Sequence, residues 1–161
     1  MTTHESIKWI ENLADQENRI GLGESSNLDL CATKDEVLSF ETLHFLQGLD
    51  QHFRYLTQLF NARLGESLAK LKYSRLAEAI DGFYIQRNMK RLLVTRPQNG
   101  AIQLQCERVE AADGSGRGSL LFSSLVEARF EAFHQIRWYY LGSPVQAEAV
   151  ARHHITEFIR S

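Results

Sequence analysis

Two prolines and two cysteines are all that this 161-residue sequence holds of either. So little proline leaves no room for a proline-rich linker. Cys31 and Cys106 lie far apart and sit in no C-x-x-C pair, which removes the usual sequence support for a zinc site or a dithiol redox motif. Long hydrophobic runs are missing too, and nothing approaches the roughly 20 apolar residues of a membrane span. The opening MTTHESIKWIENLADQ lacks a signal peptide's basic region and apolar run, so a cytoplasmic protein with no membrane contact is expected. Catalytic signatures are equally sparse. The chain has no G-x-S-x-G, no Walker pattern, no G-x-G-x-x-G and no H-E-x-x-H. No cofactor is expected, and the reading leans away from an enzyme.

What is present describes a chain that folds. At 43% hydrophobic and 24% charged, with nine Phe, five Tyr and two Trp, it suits a single globular domain over 1–161. Residues 1–32 are expected to be a loosely attached N-terminal arm, with Ile7, Ile10 and Leu13 on a short helix and a polar loop after it. Net charge is only −2, but it is unevenly placed. Residues 1–62 carry four Lys/Arg against ten Asp/Glu, and residues 63–108 carry nine against four. Such segregation fits facing surfaces of one domain or of two protomers, or an anion-binding face on the middle third.

Thr33 and Glu36 match a capping box, which predicts a long helix over about 34–64 with Leu38, Phe45, Leu49, Phe53, Leu56, Phe60 and Leu64 along one side. That length implies either a break at Gly48 or a helix offering an apolar seam to a second copy. A shorter helical pattern follows over 67–80, with Leu68, Leu71 and Leu76 inward and Lys70, Lys72 and Arg75 outward. From Phe83 the apolar period falls to two. Asn99-Gly100 between alternating runs predicts a hairpin over about 91–108 with a type I′ turn. With Asn99 and Gly100 at the turn, Leu93 pairs with Cys106, Thr95 with Leu104 and Pro97 with Ile102, so Cys106 is a small buried hydrophobe.

Residues 110–119 read as a flexible connection. Residues 119–133 suit a strand or, from a Ser124–Glu127 capping box, a helix. A strand over 135–142 and a C-terminal helix over about 144–160, capped by Ser143 with Pro144 at its first position, complete the order. The fold class expected is α+β, an antiparallel sheet packed against the long helix and the C-terminal helix. That order resembles, in architecture and without a shared motif, the small dimeric secretion-chaperone folds. The likeness is one of fold, and fold does not fix function.

Three functional readings follow. The first is a non-catalytic protein–protein interaction or adaptor/chaperone-like protein, homodimeric and binding through its long helix or a sheet edge. The alternative is nucleic-acid or other polyanion binding through 63–108, with Arg87, Lys90, Arg91, Arg96 and Arg108 as candidate contacts for an anion or a partner. In the expected register Arg87 and Arg91 share the apolar face, Lys90 and Arg96 take the other, and Arg91 lies opposite or diagonal to Arg108. That like-charge pair invites a carboxylate or phosphate between them, the protein's own carboxylate first. The third reading is an enzyme using His153, His154 and Glu157, since positions 153 and 157 share a helical face. His44 and His52 with Asp50, and the aromatic run Trp138-Tyr139-Tyr140, read as core-edge and packing residues.

Overall fold

The computed structural model describes residues 10–15, 27–77, 81–110, 118–132 and 135–161. The chain forms two compact units, residues 1–37 and residues 38–161. In the first, residues 10–15 are helical, and the long helix α1 (Asn27–Arg63) begins at its end. The remaining expectations for the N-terminal arm lie outside the described residues, as do residues 111–117 of the expected flexible connection.

The second unit is α+β, as expected. Seven strands follow α1, namely β1 (Lys72–Arg75), β2 (Gly82–Arg87), β3 (Lys90–Gln98), β4 (Ala101–Arg108), β5 (Ser119–Glu131), β6 (Gln135–Tyr140) and β7 (Ser143–Val145), and helix α2 (Ala147–Arg160) closes the chain. Each strand pairs antiparallel with its sequence neighbour, so the sheet is a simple meander in the order β1 to β7. One face is apolar. Phe83 and Ile85 of β2, Leu92 and Val94 of β3, Ile102, Leu104 and Cys106 of β4, Val126 of β5 and Trp138 of β6 form one core with Phe45, Leu49 and Phe53 of α1 and Val150, Ala151, Ile155 and Phe158 of α2. Trp138 stacks on Phe45 at 4.3 Å between ring centres, and Phe53 meets Phe83 at 5.4 Å.

Helix α1 covers the expected span and begins upstream of it, so Thr33 lies inside the helix and does not cap it. Gly48 does not break it either. A Cβ there would stand 3.4 Å from Cβ of Ala147, so the missing side chain lets the first residue of α2 approach α1 closely. Two polar latches fix the sheet to α1. Thr42, fully buried, donates to the Leu38 carbonyl at 2.6 Å and accepts the Gly100 amide at 2.7 Å, which pins the β3–β4 turn. Asn61 both donates to the Leu71 carbonyl and accepts the Leu71 amide, each at 2.8 Å, fixing the start of β1.

That second latch explains why residues 67–77, the described part of the helix expected over 67–80, are not helical. Lys72–Arg75 is a strand paired with β2, and Leu68, expected inward, is 54% exposed. Local leucine spacing loses to the unpaired edge of β2, whose amides and carbonyls need partners. Tyr73 then reaches Asp50, which also takes Arg54 at 2.8 Å and Arg75 at 3.7 Å. Burial and the hydrogen bond to Asp50 push the Tyr73 hydroxyl above its ordinary pKa. Asp50 is thus the acceptor of a polar knot between α1 and β1.

The hairpin forms with Gln98 opposite Ala101, as a two-residue turn requires. Gly100 has φ +81°, while Asn99 does not share the positive φ that a type I′ turn needs. Between Thr95 and Gln98 the register shifts. Pro97 has no amide to give the ladder, and a bulge there adds one residue to β3. Beyond it Leu92 faces Cys106 and Val94 faces Leu104, in place of the expected Leu93 and Thr95. One residue of shift exchanges the two faces of β3 before the bulge, so Lys90 and Arg91 trade their expected faces.

Of the two readings for 119–133 the strand is the one formed. Ser119–Glu131 pairs with β4 on one side and with β6 on the other, and Val126 is fully buried opposite Ile102. Ser143 and Pro144 are strand residues facing Tyr140 and Tyr139, so neither starts the last helix. Gln146 takes the N-cap position without a side-chain cap, and α2 runs to Arg160.

Candidate interaction surface

Both sheet edges are poorly suited to receive another strand. Strand β1 has four residues with exposed Lys72 and Arg75 at its ends, and β7 has three, one of them proline. Short, charged or proline-bearing edges resist strand addition. The long helix offers a better surface. From position 40 to 62 every exposed residue of α1 is formally uncharged: Phe40, Leu43, His44, Gln47, Gln51, Tyr55, Gln58, Leu59 and Ala62. They recur at steps of three and four, so they line one solvent-facing stripe. Phe40 is 66% exposed, Tyr55 60% and Leu59 47%, and the Phe40 ring lies parallel to that of His44.

The three charged side chains in the same span, Glu41, Asp50 and Arg54, sit to the side of this stripe, and two of them are engaged in the Asp50 knot. Its C-terminal end opens into a groove of about 390 Å³ between α1 and α2, lined by Leu56, Leu59, Phe60, Leu64, Ile155 and Ile159 with Arg63 at hand. Ordinary helical faces exposed to water carry charge, so a row of nine uncharged positions with large apolar members stands apart. The inward repeat of Leu38, Phe45, Leu49 and Phe53 was legible in the sequence. The outward one was readable too, as Phe40, His44, Gln47, Gln51, Tyr55 and Leu59, none of them an acid, a lysine or an arginine.

The cations singled out beforehand are dispersed. Arg91 is paired with Glu107, its direct neighbour on β4, and lies over the Tyr84 ring at 5.5 Å. The expected neighbour of Arg91, Arg108, faces Lys90 instead, because of the register shift at Pro97. Arg96 binds Asp81 through its side chain and donates its amide to the Asp81 carbonyl at 3.2 Å. Arg87 and Lys90 lie with the apolar set, opposite each other. Arg87 donates to the Ala69 carbonyl at 2.9 Å, while Lys90 donates to the carbonyls of Phe158 and Ser161 at the end of α2, where a cation suits the helix dipole.

The histidines of α2 part company. His153 is exposed and His154 fully buried, their rings edge to face at 4.9 Å, and Tyr140 of β6 lies 5.3 Å from His154. Among the described residues no three His, Cys, Asp or Glu side chains are grouped to hold a metal ion. Nδ1 of His154 lies 2.7 Å from the Val150 carbonyl and donates to it if the ring is neutral, which leaves Nε2 buried without a partner. Burial lowers its pKa below the usual 6.5, ahead of the opposing pull of Val150 and Glu157 and the added push of His153. The folded state therefore resists taking a proton that the unfolded chain accepts. Stability from this group is complete above about pH 6.5 and is lost as pH falls toward the lowered value, by at most about 1.4 kcal/mol per pH unit. His154→Leu should flatten that slope, a change readable from urea midpoints between pH 8 and 5. Parallel slopes for the two proteins would remove His154 as the cause.

No protein-family model, no curated protein and no solved structure matches this chain.

Proposed function

We propose that the protein is a non-catalytic protein-binding module that self-associates through the exposed stripe of α1. The observation that carries this reading is the run of nine uncharged exposed positions from Phe40 to Ala62. A two-fold pair brings each patch against its own copy, so a face with charges of one sign meets repulsion, whereas an uncharged face does not. Phe40, Tyr55 and Leu59 supply the large rigid side chains on which interfaces concentrate their energy, and the groove beside Leu59 is a place for one of them to enter. Short, blunted sheet edges favour the helix as the binding element. The polyanion reading draws less support, since Arg91 and Arg96 are held by the protein's own carboxylates.

Light scattering coupled to size exclusion tests this directly. The wild type is expected to run with the mass of two chains at micromolar concentration. Phe40→Glu combined with Leu59→Glu should weaken association by about 2–4 kcal/mol, about 30- to 1,000-fold, and release monomer with an unchanged circular dichroism spectrum. A wild type that stays monomeric at 100-fold higher concentration would sink the proposal, and so would a double variant that stays dimeric.

A further inference from the structure

At the end of the sheet nearest the C-terminus of α2, three cations stand in one cross-strand row. Arg87 faces Lys90, Lys90 faces Arg108, and Arg108 faces Ser119. Directly opposed residues share a face, and like charges so placed repel. The first two cations are compensated. Arg87 binds the Ala69 carbonyl and lies 5.2 Å over the Phe60 ring, and Lys90 binds the last carbonyls of α2. The Arg108 side chain is exposed and, among the described residues, makes no hydrogen bond or ion pair. It lines a cavity of about 540 Å³ together with Met89, Lys90, Glu110 and Ser119. Glu110 shares that cavity yet makes no ion pair with Arg108.

We propose that this cavity binds a small phosphate monoester, with the phosphoryl group on Arg108 and Ser119 and the Lys90 ammonium, held on Phe158 and Ser161, beside it. A guanidinium presents a fork that fits two phosphoryl oxygens, an ammonium adds a compact charge, and a serine hydroxyl donates to the third oxygen. The site is an open depression with more room than a bare phosphate ion fills. The carboxylate of Glu110 repels an extended polyanion and accepts from a hydroxyl, so the ligand class is a hydroxylated compound carrying one phosphoryl group, such as a hexose or nucleoside monophosphate. This site is separate from the α1 stripe, and its failure would leave the self-association reading untouched.

Titration of the full chain with a hexose monophosphate and with inorganic phosphate, followed by amide NMR shifts, tests the assignment. Shifts are expected to concentrate at 88–90, 108–110 and 119. Arg108→Gln should weaken the monoester about tenfold or more and Ser119→Ala about threefold, while Arg129→Gln, on an exposed position of β5, changes nothing. Because Arg108 is exposed, its variant should melt with the wild type, which separates lost binding from lost folding. Absence of saturable shifts at 10 mM, equal shifts from sodium chloride at matched ionic strength, or unaltered affinity in Arg108→Gln would each overturn the site. Inorganic phosphate binding as tightly as the monoester would overturn the monoester assignment.

Discussion

Phe53→Ala is expected to lower the unfolding free energy by about 3–5 kcal/mol and the thermal midpoint by about 10 °C or more. Phe53 is fully buried on α1, and its ring meets Phe83 of β2 in the middle of the interface between helix and sheet. Truncation leaves a void that neither backbone can collapse to fill. Strand β2 is held by ladders to β1 and β3, and α1 is tied to the sheet by Thr42 and Asn61. Phe53→Leu, which restores most of the volume, should recover more than half of the loss. Chemical denaturation with an unchanged m-value is the measurement, and a loss below about 1 kcal/mol would mean that α1 is not seated where Phe53 and Phe83 meet.

Gly82→Ala should be nearly as damaging although it adds a single methyl group. An added Cβ at Gly82 would stand far inside van der Waals distance of the Val94 carbonyl oxygen, a backbone atom held in the β2–β3 ladder, and φ there is +157°. The strands have to part to admit it. A cost of about 2–4 kcal/mol is expected from this overlap and the disturbed pairing of Gly82 with Thr95. Gly65→Ala is the matched control, since its Cβ would meet nothing within 4 Å. Equal denaturation midpoints for the two variants would rule out the steric account.

The α+β class, the long helix with its buried face, the hairpin and the closing helix were all legible in the sequence, because each rests on a periodicity that core burial enforces. Where the reading failed, the deciding interaction was remote or depended on one residue. Nothing between Ser67 and Ile80 reports that Asn61 will hold the Leu71 backbone or that β2 needs a neighbour, so the leucine spacing points to a helix. In β3 the pattern of types was right and the parity wrong, because a strand signal says where alternation occurs but not where a bulge interrupts it. Pro97 was the clue: a missing amide between Thr95 and Gln98 marks the position at which the ladder slips. The surface sites were harder still. Arg108 was legible as a candidate anion contact, but its neighbour across the ladder is Lys90 in place of the expected Arg91, and that depends on the slipped register.

The meander also shapes how the chain reaches this state. Since every strand pairs with its immediate neighbour, each hairpin can close over a short loop, and assembly of the sheet costs little chain entropy. The two helices are different. Gly48 of α1 meets Ala147 of α2 on the face of the sheet that both helices cover, and all seven strands lie between them in the sequence. During synthesis the part of the core that Val150, Ala151, Ile155 and Phe158 complete stays open until residues 147–160 have been made. Docking of α2 therefore carries a larger loop-closure cost than any single hairpin of the meander, and the core surface that it covers stays exposed until then.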